Sequence, residues 1–389
     1  MYVLTLKKNE EKRILSGHPW VYANEVQRID GKDAQGSMAK VCASDGRFVG
    51  YGYINHLSKI IVRILTYKDE IIDRTFFYNR IKASVDLRKT LRYDDNYRAV
   101  FGENDLLPGL IVDKYGDYLS VQFLTLGMEV RKKEIVDILV ELFSPKGIYE
   151  RSDVSVREKE GLPLIKGAIY GDFDPVVTII ENGITMLVDL ENGQKTGYFL
   201  DQKENRENIR KFVKGKDVLD CFSNVGGFAL NAANGGADSV TALDISQTAI
   251  DYIKRNAELN GFTNIETCPA DVFEKLREYR REGRTFDVVI LDPPAFTKSK
   301  DTVKDAYKGY KDINIQALKI IRKGGFLITC SCSQHLSVNL FTEMIKESAA
   351  QAGVRAKMIE FRTQARDHGT LVGLDEGLYL KVAVLAIIG

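Results

Sequence analysis

The hydrophobic pattern changes character twice along the chain. Up to about residue 72 it consists of short stretches, Tyr2 to Leu6, Ala39 to Ala43, Arg47 to Ile54 and Ile60 to Leu65, with Asp45-Gly46 as a hairpin signal between two of them. This predicts a small β-rich domain over 1–72. From 73 to 183, helical spacing at Arg74 to Arg92 gives way to two apolar strands flanking Gly116-Asp117, a second helix at about Met128 to Phe143 and the strand Gly147 to Glu150. That mixture predicts a central α+β domain. From 184 to 389, after an entry hairpin over 184–199, strands at Asp217 to Phe222, Ser239 to Asp244, Ile265 to Cys268, Phe286 to Leu291 and Gly325 to Cys330 alternate with helical stretches such as Gln247 to Asn260 and Tyr310 to Arg322. Such alternation predicts an α/β fold with a doubly wound, mostly parallel sheet.

Within that last region, Phe286-Asp-Val-Val-Ile-Leu-Asp-Pro-Pro-Ala-Phe296 carries the most information. Four apolar residues in a row suit a central strand covered on both faces. Two prolines cannot continue a ladder, so the chain turns and leaves Asp292 at the strand's carboxyl end. Ligands of open α/β sheets bind at that edge. Asp292 is therefore either an ordinary strand terminator or a group that reads a base.

Composition narrows the class. Of 389 residues, 44% are hydrophobic and 28% charged, as in soluble globular proteins, and no apolar run has the length of a membrane span. Five cysteines without a CxxC pair argue against a disulfide scaffold or structural zinc, and for a reducing cytoplasm. The four histidines are not spaced as metal ligands. A net charge of +1 gives no global polyanion signal, so any nucleic-acid surface has to be local.

Two clusters carry candidate chemistry. The first strand of the alternating region runs Val218-Leu-Asp-Cys-Phe-Ser-Asn-Val-Gly-Gly-Phe228, and Gly226 and Gly227 let backbone approach a ligand at a helix N-terminus. G-x-G-x-x-G is absent, which weakens a dinucleotide reading. Asp220 lies at the end of that first strand, Asp244, 24 residues later, ends the second, where an acid can bind a ribose diol, and Asp271 follows the third. Single acids at strand ends are usually helix caps; three in register with a Gly-Gly turn resemble the S-adenosylmethionine site of class I methyltransferases. The second cluster is Thr329-Cys-Ser-Cys-Ser333. Methylation at carbon 5 of a pyrimidine needs a thiolate to attack carbon 6, and stabilisation of the charge that develops on the ring. Cys330 and Cys332 share one face of an extended strand, so spacing leaves both open. Cys332 lies nearer the carboxyl edge, where substrate enters, and Cys330 is the better candidate for an inert core thiol.

Over nearly its whole length the chain resembles the bacterial 23S ribosomal RNA large-subunit methyltransferase I family, which makes 5-methylcytosine. The resemblance rests on Gly17-His-Pro-Trp-Val-Tyr22, Asp105-Leu-Leu-Pro-Gly109, Tyr149-Glu-Arg-Ser-Asp-Val154, Lys195-Thr-Gly-Tyr-Phe-Leu-Asp-Gln202, the Asp292-Pro-Pro loop and Ser331-Cys-Ser333. It implies an N-terminal PUA domain, a central α+β domain and a C-terminal Rossmann-like class I methyltransferase with an antiparallel last strand. It also implies Cys332 as nucleophile with Asp292 as its catalytic partner, S-adenosylmethionine held by Phe222, Ser223, Gly226, Gly227, Asp244, Ile245, Asp271, Val272 and Gln202, and no metal. Thr329-Cys330-Ser331 matches the Thr-Cys-Ser of other RNA cytosine-5 enzymes and keeps Cys330 open. The implied partner is 23S rRNA or a large-subunit precursor, with no membrane; a homodimer is one option for assembly. His18-Pro19-Trp20 suits a core aromatic corner better than base stacking, and Lys7, Lys8, Lys12 and Arg13 suit a solvated surface better than phosphate contacts. Base-amino methyltransferases place an aromatic directly after Asp/Asn-Pro-Pro, where Ala295 stands here. A 5-methyluridine enzyme and a non-catalytic RNA-binding protein are the other rivals.

Overall fold

The computed structural model describes residues 1–297 and 299–389. The chain divides into two compact units. The first comprises Met1–Ile179, Val188–Leu200 and Arg366–Gly377. It holds a six-stranded sheet built from the strands between Tyr2 and Thr66, and a five-stranded sheet in the order Ile165–Tyr170, Gly147–Ser152, Tyr118–Phe123, Leu110–Tyr115, Asn96–Phe101. Helices Arg74–Thr90 and Lys132–Phe143 cover the second sheet, with Phe77, Ile81, Ile135, Ile138 and Leu139 buried against Val112, Leu119 and Val121. The expected second helix starts at Leu126 but is interrupted, with Leu126–Glu129 and Lys132–Phe143 as separate pieces. A positive φ at both Asn182 and Gly183 makes a tight turn between Val176–Glu181 and Ile184–Asp189, a two-stranded ribbon. The expected entry hairpin over 184–199 is thus replaced by a pairing with the preceding strand.

Trp20 forms a corner inside this unit. Its indole N–H donates to Glu103 at 2.9 Å and the Arg63 guanidinium lies 5.7 Å from its ring centre. Arg13 is paired with Glu25 at 2.6 Å, and Lys7 donates to the Asn24 carbonyl.

The second unit, Ile180–Leu187, Asp201–Ala365 and Leu378–Gly389, contains a seven-stranded sheet. Its strands are β1 (Asp217–Cys221), β2 (Ser239–Asp244), β3 (Ile265–Pro269), β4 (Phe286–Leu291), β5 (Ile321–Ser331), β6 (Ala356–Arg362) and β7 (Lys381–Ile387), in the order β3-β2-β1-β4-β5-β7-β6. The first five are parallel, and β7 runs antiparallel to both β5 and β6. Strand alternation sends Val218, Val288, Ile290, Ile328 and Val382 to one face, packed on helices α1 (Gly227–Asn234) and α2 (Gln247–Leu259). Leu219, Val289, Leu291, Leu327 and Leu385 go to the other, under α3 (Val272–Glu282), α4 (Val303–Leu318) and α5 (Val338–Ala352). Each large apolar side chain buried this way contributes about 1.5–3 kcal/mol. Because the central strands bury both faces, they read as continuous apolar runs. Among the described residues no helix is long and apolar enough to cross a membrane.

Candidate active site

The order of the strands reverses at β1 and β4, and the loops after β1, β2, β4 and β5 gather at the carboxyl edge there. The loop after β1 is wound tightly: Phe222, Asn224 and Gly226 all have positive φ, at 63°, 51° and 93°. Two of these are not glycine, and such positions persist only where the surroundings enforce them, most often at ligand sites. Here the enforcement is visible. Asp244 accepts from the Asn224 N–H at 2.9 Å and from the Ser246 N–H at 2.9 Å, which ties the ends of β1 and β2 together. Ser223 donates its hydroxyl to the Asp220 carbonyl, closing the turn from inside. At Gly226 a Cβ would stand 3.2 Å from Ile253, so both φ and packing require glycine. Gly227 then opens α1.

Asp220, the first of the three strand-end acids, was given no role of its own from sequence. Its Oδ2 accepts from the Ala229 N–H in the first turn of α1, while Oδ1 is buried with no hydrogen-bond partner. Burial, with the charges of Asp292 and Asp244 adding to it, pushes its carboxyl up to about 8. The only sequence signal was its place at the end of the strand before the Gly-Gly turn.

Of the other expected cofactor residues, Ile245 projects into solvent beside Asp244 with 73% of its surface exposed, an unusual state for an isoleucine and suited to a flat apolar ligand. Asp271 caps α3 by accepting from the Glu274 N–H, and Val272 buries its side chain in the core, leaving its backbone for a ligand. Gln202 turns elsewhere: its amide N–H donates to Asp292 at 2.8 Å and its amide oxygen accepts from Asn205 at 2.8 Å. The strained turn, the orphaned Asp220 oxygen and exposed Ile245 together fit a cationic nucleoside with an amino-acid tail. S-Adenosylmethionine held there would supply an electrophilic methyl group.

On the neighbouring strand, Cys330 and Cys332 share the face of the sheet covered by α1 and α2, and differ in depth. Cys330 is fully buried, and burial pushes its thiol well above the ordinary range. Cys332 is partly exposed, and its Sγ lies 3.9 Å from the Pro293 carbonyl of the Asp-Pro-Pro loop. The structure thus brings Asp292 and Cys332 to one edge, with Gln202 bracing the former.

Phe296, the aromatic closest to the Pro-Pro turn, is engaged: its ring centre is 4.5 Å from Tyr310, 5.8 Å from Phe273 and 6.5 Å from Phe222. The absent side chain of Gly309 makes room for it, since a Cβ there would lie 3.2 Å from the Phe296 ring.

A PUA-like domain model matches residues 4–67, and the S-adenosylmethionine-dependent methyltransferase model matches residues 168–368. The ribosomal RNA large subunit methyltransferase I of Aeromonas salmonicida is 42% identical over 388 residues, 98% of each chain. That of Aliivibrio fischeri is 43% identical over 97% of each. The chain belongs to the ribosomal RNA large subunit methyltransferase I family. It is an S-adenosylmethionine-dependent methyltransferase with a PUA-like N-terminal domain. A Streptococcus mutans protein described as a SAM-dependent methyltransferase shares the fold, with a TM-score of 0.83 at 24% identity over 99% of this chain and 100% of that one. A second solved structure, complexed with S-adenosylhomocysteine, superposes with a TM-score of 0.85 at 24% identity, over 99% of this chain and 100% of the other.

Proposed function

We propose that the protein methylates carbon 5 of a cytosine in 23S rRNA, in the cytoplasm, through a covalent adduct to Cys332. The observation that carries this reading is the partly exposed Cys332 thiol, 3.9 Å from the Pro293 carbonyl in the loop that presents Asp292. Its family relatives are named for ribosomal RNA of the large subunit, which gives the substrate class. In this mechanism the Cys332 thiolate adds to carbon 6, which makes carbon 5 nucleophilic toward the bound methyl donor. Asp292, fixed by Gln202, grips the N3 and amino edge of the flipped cytosine, where charge develops. A base then removes the carbon-5 proton, carbon 5 and carbon 6 regain their double bond, and the thiolate leaves.

Phe222, Ser223, Gly226, Gly227, Asp244, Ile245, Asp271 and Val272 form the cofactor side of the proposed site, and Gln202 braces Asp292 on the base side. The packed state of Phe296 disfavours a base-amino methyltransferase, which would need that ring for stacking. The test is methyl transfer from labelled cofactor to 23S rRNA by Cys332→Ser and Cys330→Ala proteins, with nucleoside mass spectrometry of the product. The first should lose turnover by at least about a thousandfold; the second should keep it. Unchanged turnover by Cys332→Ser sinks the covalent mechanism, and a product other than 5-methylcytosine sinks the base assignment.

A further inference from the structure

Every polar atom of Ser333, the residue directly after Cys332, is engaged, although Ser333 lies past the end of β5. The residue is fully buried. Its N–H donates to Ser331 Oγ at 3.4 Å, and its carbonyl accepts from the Leu336 N–H at 3.1 Å and from Lys381 Nζ at 2.7 Å. Lys381 opens β7, is only 2% exposed, and also donates to the Tyr379 carbonyl at 2.8 Å. The last polar atom of Ser333, its Oγ, meets the Tyr310 hydroxyl at 2.9 Å. Tyr310 stands on α4 and is itself fully buried.

The same tyrosine reaches the other loop of the proposed site. Its ring packs on Phe296, four residues after Asp292, with centres 4.5 Å apart and planes inclined by 35°. The Asp292 loop is tied to the start of α4 a second time by the hydroxyls of Thr297 and Thr302, 2.7 Å apart. We propose that Tyr310 is a positioning residue for methyl transfer: its hydroxyl holds the segment that carries Cys332, its ring holds the loop that carries Asp292, and one side chain so sets the distance between them. The proposal rests on the covalent reading of Cys332.

Covalent attack makes this distance matter. Reacting atoms must approach to about 3–3.5 Å, and a misplacement of about 1 Å can cost about a hundredfold in rate. Here the thiol and the carboxylate that grips the base sit on loops after different strands, β5 and β4. The contact between Cys332 Sγ and the Pro293 carbonyl at 3.9 Å depends on the S–H proton, which a thiolate lacks. The bond between Tyr310 and Ser333 is independent of the thiol's charge state. Burial raises the Tyr310 hydroxyl above its ordinary value, so it stays a neutral phenol at neutral pH and acts by hydrogen bonding, not as a base.

The test uses the full-length protein with a 23S rRNA transcript and with the same transcript containing 5-fluorocytidine. With fluorine at carbon 5 the last step has no proton to remove, so the adduct accumulates once the methyl group has been transferred, and a denaturing gel reads its rate of formation. Tyr310→Phe keeps the ring on Phe296 and removes only the hydroxyl. It should slow kcat and adduct formation about 10- to 100-fold, with cofactor affinity and the KM for RNA unchanged. Ser333→Ala reads the same bond from its other end and should give a similar loss. The double variant leaves neither partner unpaired, so its urea midpoint should return toward wild type while its turnover stays that of the single variants. Turnover that recovers with the midpoint shows a merely structural role and overturns the proposal. Losses that multiply in the double variant overturn it too, as does a wild-type kcat in Tyr310→Phe. The failures are distinguishable. A wild type that methylates 23S rRNA yet forms no adduct with the fluorinated transcript removes the covalent reading, whereas a wild-type rate of adduct formation in Tyr310→Phe removes only the role of Tyr310.

Discussion

Asp220→Asn should make the protein more stable at alkaline pH while weakening its cofactor site. The carboxyl is fully buried, with one oxygen capping α1 through Ala229 and the other without a partner. Its rise from 3.8 to about 8 fixes the sign. Below about pH 4 the group is protonated in both folded and unfolded chains and has no effect. Between about 4 and 8 the unfolded chain gives up the proton while the folded chain keeps it, so the folded state binds more protons and stability falls as pH rises. At 1.36 kcal/mol per pH unit the ceiling is about 6 kcal/mol, and relaxation with water entry into a ligand site reduces this to about 2 kcal/mol. Asparagine keeps an oxygen for the Ala229 N–H and never ionises. Urea unfolding of both proteins at pH 5 and pH 8.5 provides the measurement, with stability read from the midpoints at constant slope. The advantage of Asp220→Asn over wild type should grow by about 2 kcal/mol between the two pH values. Parallel profiles, or a wild type that gains on the variant, would refute the assignment of a buried, proton-retaining carboxyl. Binding of a cationic cofactor should draw out that proton, so calorimetry in buffers of different ionisation enthalpy should detect proton release in wild type and none in the variant.

Two other substitutions test how the loops are held. Gln202→Leu removes the amide that braces Asp292 and should lower methyl transfer about 10- to 100-fold through kcat, with cofactor affinity unchanged in calorimetry; a loss of cofactor affinity with normal turnover would instead place Gln202 at the cofactor. Gly226→Ala forces a side chain into a φ of 93° against Ile253 and should cost about 1–3 kcal/mol, read as a lower urea midpoint, together with weaker cofactor binding. An unchanged midpoint would show that the turn can be rebuilt without strain.

What was legible in the sequence is what local chemistry determines. The Asp292-Pro-Pro end of β4 reads directly, because two prolines terminate a ladder wherever they stand. The tight turn after β1 reads from Gly226-Gly227, although the positive φ values of Phe222 and Asn224 do not, since neither residue type demands them. The Asn182-Gly183 ribbon was readable too, but a hairpin placed later in the chain obscured it. Gln202 was expected at the cofactor, and its bond to Asp292 was not foreseen: an amide can serve a ribose or a carboxylate equally well, and only the fold brings it to Asp292.

Lys381 lay beyond sequence reasoning for a topological reason. It sits at the start of an apolar strand, where a lysine reads as a solvated end, and its partners Ser331 and Ser333 close a strand far earlier in the chain. The two approach because β7 inserts between β5 and β6 and runs antiparallel to both, so its first residue meets the last residues of β5. In a purely parallel sheet β7 would present its carboxyl end there, Ala386 and Ile387 in place of Lys381. The antiparallel strand is thus what allows a basic group to reach the carboxyl edge from the far side of the sheet order. It also explains how such a lysine is tolerated. Strand ends leave carbonyls without ladder partners, and the Ser333 and Tyr379 carbonyls, just past the end of β5 and just before β7, are the two that Lys381 satisfies.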